Sequence, residues 1–125
     1  MTLLYIKKFT RAYIKAHPDW LFVFGDNMMR CGFGGQAAEA RGEPNAIGIA
    51  TKRAPHMDQG AFLTDGDHGE WFEAEERTIN RLMAASQAGR TIIWPIDGIG
   101  TGLARLEKSA PKIWADIEQL RLAIG

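Results

Sequence analysis

Residues 21–36 read Leu-Phe-Val-Phe-Gly-Asp-Asn-Met-Met-Arg-Cys-Gly-Phe-Gly-Gly-Gln, an apolar run that passes directly into a glycine-rich loop. The continuous apolar segment over residues 20–24 predicts a strand that is buried on both faces, as in a parallel sheet covered by helices. The alanine-rich stretch over residues 35–41 predicts a helix that ends at Gly42. Glycine lets the backbone approach a ligand closely, and the N–H groups of the loop and helix start carry partial positive charge. A strand, a glycine loop and a helix in this order are therefore typical of phosphate binding.

A second stretch repeats this pattern. Residues 91–94 predict another buried strand, and the loop that follows carries three spaced glycines before Leu103, namely Gly98, Gly100 and Gly102. One such loop is a weak signal, because glycine also serves ordinary turns. Two loops at equivalent strand ends meet at the same edge of a parallel sheet, and together they indicate a clamp for a diphosphate.

Further strands and helices are predicted around these two units. An apolar stripe at steps of three and four residues predicts a long helix over residues 70–88, and Pro111 begins the last helix. Alternating strands and helices predict an α/β fold whose central strands are parallel and covered by helices on both faces. The remaining predictions are strands at 3–6 and 46–50, a short helix over 10–15 capped by Thr10, a loop over 53–60 and an edge strand at 61–64, with residues 53–69 as a candidate lid.

Composition and length limit the possible functions. The 125 residues suit one domain over residues 1–125, and the zero net charge argues against nonspecific binding to nucleic acid. A single cysteine, Cys31, excludes an internal disulfide and a cysteine-cluster metal site. Apolar runs are too short for a membrane span, and the N-terminal charges follow the apolar residues, which is the wrong order for a signal peptide. We expect a cytoplasmic protein that does not interact with a membrane and binds no metal or cofactor.

The two loops resemble the ligand loops of the macro domain superfamily. Residues 32–38, Gly-Phe-Gly-Gly-Gln-Ala-Ala, resemble the first ligand loop, and residues 95–106, Pro-Ile-Asp-Gly-Ile-Gly-Thr-Gly-Leu-Ala-Arg-Leu, resemble the second phosphate loop. The Thr51–Lys52 pair is similar to the strand end of the ADP-ribose-protein glycohydrolase subgroup. The Arg-Gly-Glu-x-Asn segment at residues 41–45 is similar to one in compact, phage-associated relatives.

The resemblance implies a compact three-layer α/β/α macro-domain-like fold with a mixed sheet. It also implies ADP-ribose, or a related ADP-ribosyl nucleotide, as the ligand. An ADP-ribosylated protein or nucleic acid is a further candidate partner, and the oligomeric state is left open. Among the predicted contacts, Asn27 is placed at the ribose hydroxyls and Phe33 against the ligand as a stacking or covering ring. The predicted ligand-binding residues are Asn27, Gly32, Phe33, Gly34, Gly35, Gln36, Thr51, Gly98, Ile99, Gly100, Thr101, Gly102 and Leu103.

Two departures from the family pattern bear on the ligand and on catalysis. Macro domains carry an acidic residue near the first strand that receives the adenine amino group, whereas residues 7–10 here read Lys-Lys-Phe-Thr. In the glycohydrolase subgroup a lysine, matched by Lys52, forms a Schiff base with the opened ribose, and an aspartate follows the second loop. Ala104 stands in the position of that aspartate. A nucleophilic lysine needs a nearby base or a lowered pKa.

Two functions therefore stay open at this point. The first is an ADP-ribosyl hydrolase with Lys52, Asp97 and Asp26 as catalytic candidates. The second is a non-catalytic module that binds ADP-ribosylated targets or sequesters a nucleotide signal. Lys52 as a simple phosphate contact, and Arg30 and Arg53 as screens for phosphate charge, fit either function. The missing acid at position 104 favours binding alone.

Overall fold

The structure is a computed structural model that describes residues 2–32, 34–102 and 104–125. In this part of the chain no helix is long and apolar enough to cross a membrane. The described residues form four strands, five α-helices and two short 3₁₀ turns. In chain order they are β1 Thr2–Ile6, α1 Arg11–Ala16, β2 Leu21–Asn27, α2 Ala37–Ala40, β3 Ala46–Lys52, 3₁₀ turns at Gln59–Ala61 and Asp65–Asp67, α3 His68–Gln87, β4 Thr91–Pro95, α4 Leu106–Ser109 and α5 Pro111–Ile124.

The four strands form one sheet in the order β1-β4-β2-β3, and each neighbouring pair is parallel. The predicted parallel pairing of the central strands is confirmed, whereas the mixed sheet expected for a macro-type fold is wrong. The predicted edge strand at 61–64 makes only one isolated antiparallel bridge, between Lys52 and Phe62. Its first residue is taken up by the 3₁₀ turn Gln59–Ala61, so too little extended chain remains to pair along β3.

Two apolar clusters cover the two faces of this sheet. Leu21 and Val23 of β2 belong to the larger cluster, which joins the sheet to α3, α4 and α5. Phe22 and Phe24 belong to the smaller cluster, which joins it to α1 and α2. Successive residues of a strand point to opposite faces, so this division means that β2 is buried on both sides. The α/β class and the three-layer arrangement are as predicted.

Several element ends follow from the signals in the sequence. Thr10 caps α1, since its hydroxyl accepts a hydrogen bond from the N–H of Tyr13 at 3.1 Å. Gly42 and Gly89 have φ of +89° and +81°, the left-handed conformation that favours glycine after a helix. Pro111 begins α5. α3 extends two residues beyond its predicted start, to His68.

Candidate ligand-binding cleft

A cleft of about 630 Å³ lies beyond the carboxyl ends of β2, β3 and β4. All four strands are parallel, so these ends share one edge of the sheet, and the loops that follow them meet there. The walls of the cleft are the first glycine loop (residues 28–36), the second glycine loop (residues 96–105) and the segment 55–57. This volume is within the range of about 300–1,000 Å³ that is usual for ligand pockets.

Side-chain hydrogen bonds from Asn27, at the end of β2, and from Arg41, just after α2, fix the first glycine loop. The amide nitrogen of Asn27 donates to the carbonyl of Cys31 at 2.8 Å, and its amide oxygen accepts from the N–H of Met29 at 3.0 Å. The Arg41 guanidinium donates to the carbonyl of Gly32 at 3.0 Å. The Asn27 side chain was predicted to bind the ribose hydroxyls. In the structure its amide group forms hydrogen bonds within the first loop and closes it.

Gln36 ties the end of the first loop to the segment after β1. Its amide nitrogen donates to the carbonyl of Phe9 at 2.5 Å, and its amide oxygen accepts from the N–H of the same residue at 3.2 Å. This two-point contact resembles the pairing between neighbouring strands. Gln36 lines the cleft, but its side chain is engaged in holding α2 against the rest of the fold.

Asp26 is buried and neutralised by arginines. Both of its carboxylate oxygens accept from Arg41, at 2.7 and 3.1 Å, and Arg30 lies 3.6 Å away. Gly48, on the neighbouring strand β3, makes room for this carboxylate, because a Cβ there would lie 2.7 Å from Asp26 Oδ2. Asp26 lines the cleft as predicted, but in this arrangement its charge stabilises the loop.

The same loop is anchored on its other side by Glu75, a fully buried residue of α3. Its carboxylate forms an ion pair with Arg30 and accepts from the N–H of Ala50 at 2.6 Å. Arg30 also donates to the carbonyl of Gly48 at 3.2 Å, and its φ is +54°. Arg30 therefore joins the first loop to β3 and α3. These contacts explain the presence of an arginine here without the predicted role of screening phosphate charge.

The second glycine loop is held by its own backbone. The N–H of Gly98 donates to the carbonyl of Pro95 at 2.9 Å, and the N–H of Leu106 donates to the carbonyl of Gly100 at 2.7 Å. Gly98 and Gly100 have φ of +89° and +82°. Gly100 also packs closely, because a Cβ there would lie 2.9 Å from Leu106 Cβ. Thr101 closes the turn with a hydroxyl hydrogen bond to the carbonyl of Asp97.

Thr51 and Lys52 stand at the end of β3, on the floor of the cleft. The Thr51 hydroxyl donates to the carbonyl of Asp26 at 3.1 Å, so it is used within the sheet. The Lys52 ammonium donates to the carbonyl of His56 and lies 4.9 Å from the centre of the Phe62 ring. The guanidinium of Arg105 lies 5.2 Å from the same ring. Two cations thus flank one aromatic side chain at the edge of the cleft.

Arg53 lies in a separate ion-pair cluster that fixes the base of the segment after β3. It donates to Asp67 at 2.6 Å and to Glu70 at 3.1 Å. The N–H of Thr64, followed by the Arg53 guanidinium, lowers the pKa of Asp67. Arg53 also lowers the pKa of Glu70, and the two acids raise the pKa of Arg53. Arg53 therefore forms ion pairs at the start of α3 instead of the predicted contact with a phosphate.

The structure brings most of the predicted site residues together, although not all of them. Asp97 and Thr101 line a second cavity of about 280 Å³, on the side of β1 and α5. Phe33 and Leu103 lie outside the described residues. The predicted residues that line the cleft are Asp26, Asn27, Gly32, Gly34, Gly35, Gln36, Thr51, Lys52, Gly98, Ile99, Gly100 and Gly102.

Sequence reasoning missed the residues that support the cleft. Arg41 lines it and holds Asp26. Pro55, His56 and Met57 also line it, and they belong to the segment 53–69 that was predicted as a candidate lid. The sequence placed Arg41 at the end of a helix and in the Arg-Gly-Glu-x-Asn segment, without a contact to Asp26. Within the described ranges, no three His, Cys, Asp or Glu side chains are grouped so that they could hold a metal ion.

Comparison with known proteins places the chain in a family. No curated protein matches the sequence, and no solved structure matches it. Residues 4–120 match the family of unknown function DUF7831. Because this match covers nearly the whole length, the chain belongs to the DUF7831 family.

Proposed function

We propose that this protein is a macro-type domain that binds ADP-ribose, or a closely related ADP-ribosyl nucleotide, in the cleft between its two glycine loops. The observation that carries the proposal is the presence of glycine at Gly34 and Gly102, which line the cleft at positions where the described residues leave room for a side chain. The resemblance of both loops to macro domain loops supports the choice of ligand, and the three-layer α/β arrangement is compatible with it, whereas the all-parallel sheet departs from the mixed sheet expected for that type.

Gly34 and Gly102 differ from the other loop glycines. Gly32 and Gly100 have positive φ and pack against Pro55 and Leu106 respectively. Gly102 has no positive φ, and a Cβ at Gly34 or at Gly102 would meet no described atom within 4 Å. Both residues line the cleft. A bound ligand that lies against the backbone would explain why a side chain is avoided there.

Free backbone donors support a negatively charged ligand. In the second loop the N–H groups of residues 99–102 donate to no acceptor within the described residues. In the first loop the same holds for the N–H groups of residues 34–36. Successive N–H groups that are turned away from internal partners form a concave anion site, so the two loops offer donors to the two phosphates of one diphosphate.

The charges at the cleft are consistent with this ligand. Asp26 and Arg41 neutralise each other, whereas the Lys52 ammonium contacts a carbonyl, a sulfur and an aromatic ring, but no carboxylate of the described chain. Lys52 therefore contributes net positive charge to the cleft. The protein as a whole has no net charge, so attraction of an anion depends on these local groups.

The same contacts favour binding over hydrolysis. A lysine nucleophile or an attacking water needs a base within hydrogen-bond reach. Asp26 is held in its two-point pair with Arg41, and Asp97 lines the other cavity. Ala104 lines the cleft where the glycohydrolase subgroup has its acid. We therefore propose a binding module.

Calorimetric titration with ADP-ribose, with AMP and NAD as controls, tests the proposal. We expect saturable one-to-one binding that is stronger for ADP-ribose than for AMP. Gly34→Ala and Gly102→Ala should each weaken binding about tenfold, equivalent to about 1.4 kcal/mol, because the added methyl enters the cleft. Gly69→Ala, which adds the same methyl at an open position of α3, should leave affinity unchanged.

Absence of binding to all three nucleotides, or equal affinity of wild type and both loop variants, would overturn the proposal. Incubation with an ADP-ribosylated protein separates the two functions. Retention of the modification supports a binding module. Release of ADP-ribose that is lost in Lys52→Ala, while affinity is kept, establishes a hydrolase.

A further inference from the structure

The two edge strands of the sheet, β3 and β1, differ in how far other parts of the chain cover them. The outer edge of β3 is covered by side chains of α3, since Trp71 donates to the carbonyl of Ala50 at 2.7 Å and Glu75 accepts from the N–H of the same residue. Arg30 donates to the carbonyl of Gly48 on that strand. Such contacts protect an edge from pairing with another chain. β1, at the other edge, has no comparable cover among the described residues.

The open edge of β1 offers a defined set of backbone groups. The carbonyl of Ile6 accepts from the N–H of Ile96, so the backbone groups of Ile6 point toward β4. Alternate residues of a strand point their N–H and C=O groups to opposite sides. The groups of Leu3 and Tyr5 therefore point outward, and none of them has a backbone partner in the described chain.

Exposed apolar side chains flank this edge. Leu4 and Tyr5 are 40% and 43% exposed, and Ile96, just after β4, is 57% exposed. Leu122 of α5 is 63% exposed, and α5 lies beside β1 because Arg121 donates to the hydroxyl of Tyr5 at 2.8 Å. Open backbone groups together with apolar side chains are typical of a strand that pairs with another chain.

We propose that β1 pairs antiparallel with β1 of a second copy of this chain, about a two-fold axis at Leu4. This register is the one that pairs all five residues of each strand. It places Leu4 opposite Leu4 of the second copy, Leu3 opposite Tyr5, and Thr2 opposite Ile6. Leu3 and Tyr5 then exchange hydrogen bonds in both directions, which satisfies all of the outward groups of both strands.

The side chains favour a second copy of this chain as the partner. In this register Leu4 faces Leu4 and Leu3 faces Tyr5, while Thr2 faces Ile6. Lys7 and Lys8 lie beyond the end of the partner strand, so that no like charges are opposed. A two-fold axis perpendicular to the sheet also brings both α5 helices to one face of the joined sheet, where Leu122 is exposed. The result is a continuous eight-stranded sheet.

Light scattering after gel filtration tests the dimer. We expect twice the chain mass of 13.9 kDa for the wild type. Leu4→Lys should halve the measured mass, because it places two ammonium groups opposite each other at the axis. Phe72→Lys replaces an exposed apolar residue of α3 in the same way, and it should leave the dimer intact.

A cysteine cross-link tests the register independently of these variants. In a Cys31→Ser background, Leu4→Cys should form an intermolecular disulfide, because opposed residues of a non-hydrogen-bonded pair have Cα atoms about 4.5 Å apart. Thr2→Cys, displaced from the axis, should not. A wild-type monomer up to millimolar concentration overturns the proposal, as does a dimer that persists in Leu4→Lys and forms no Leu4→Cys cross-link.

Discussion

The two glycine loops face each other across one cleft, but they keep their shapes by different means. The first loop depends on side chains from elsewhere: Arg41 holds Asp26 and Gly32, and Glu75 holds Arg30. The second loop depends on its own backbone, which turns at Gly98 and Gly100 and returns to Leu106. The first loop is therefore sensitive to changes far along the chain, whereas the second is sensitive to changes within itself.

Of the substitutions that distinguish the two loops, removal of Arg41 should cause the largest loss of stability. Arg41→Ala leaves the buried Asp26 carboxylate with Arg30, at 3.6 Å, as its one charged partner among the described residues, and it removes a donor to Gly32. Loss of one partner of a buried ion pair is costly, and we expect a loss of about 3 kcal/mol in the free energy of unfolding, measured with urea.

Hydrogen exchange shows whether the effect of Arg41→Ala stays in the first loop. Exchange should accelerate at the hydrogen-bonded N–H groups of residues 28–30 and remain unchanged at those of Gly98 and Leu106. Arg90→Ala, which removes only hydrogen bonds to the carbonyls of Asp19 and Trp20, is the matched control and should cost much less. Equal losses for the two variants would contradict the dependence of the first loop on Arg41.

A methyl group at Gly100 should destabilise the second loop and leave the first unchanged. Gly100→Ala forces an alanine to φ near +82° and brings its Cβ to 2.9 Å from Leu106. We expect a loss of about 2 kcal/mol in unfolding free energy, from backbone strain and overpacking together. Gly102→Ala, two residues away in open space, should be close to neutral in stability. If both variants are equally stable, the second loop does not depend on its tight turn.

Arg53 belongs to neither loop and should give the smallest effect. Arg53→Ala removes partly exposed ion pairs to Asp67 and Glu70, which contribute little to stability. The pKa of Asp67 is lowered in the folded protein. The stabilisation that the charged Asp67 gives is therefore present at neutral pH, and it is lost as the pH falls through the pKa of the folded state. The difference in melting temperature between wild type and variant should therefore shrink in acid, and a constant difference would contradict this assignment.

The elements of the fold could largely be predicted from local sequence. Apolar runs marked all four strands, and Thr10 and Gly42 marked the ends of two helices correctly. The mixed sheet was a wrong prediction because the direction of pairing depends on the path of the chain between strands. The segment at 61–64 has the composition of a strand, but the 3₁₀ turn before it prevents extended pairing.

The supports of the cleft were harder to predict than its loops. Asp26 follows a strand and looks available in the sequence, yet Arg41 neutralises it across 15 residues. Glu75 did carry a local signal, since it lies four residues after Trp71 and hence on the same buried face of α3. The apolar stripe drew attention away from this charged residue, whose role depends on contacts with β3 and Arg30.

The pairing of β1 with β4 has a consequence for the synthesis of the protein. Thr2 lies in register with Thr91, so most of the chain must leave the ribosome before the first strand can find its place. β2 and β3 can pair much earlier, since Phe22 lies in register with Ala46. Pairings between distant segments form slowly. We therefore expect the strand made first to join the sheet last, and a nascent chain to carry its apolar N-terminal strand unpaired through most of translation.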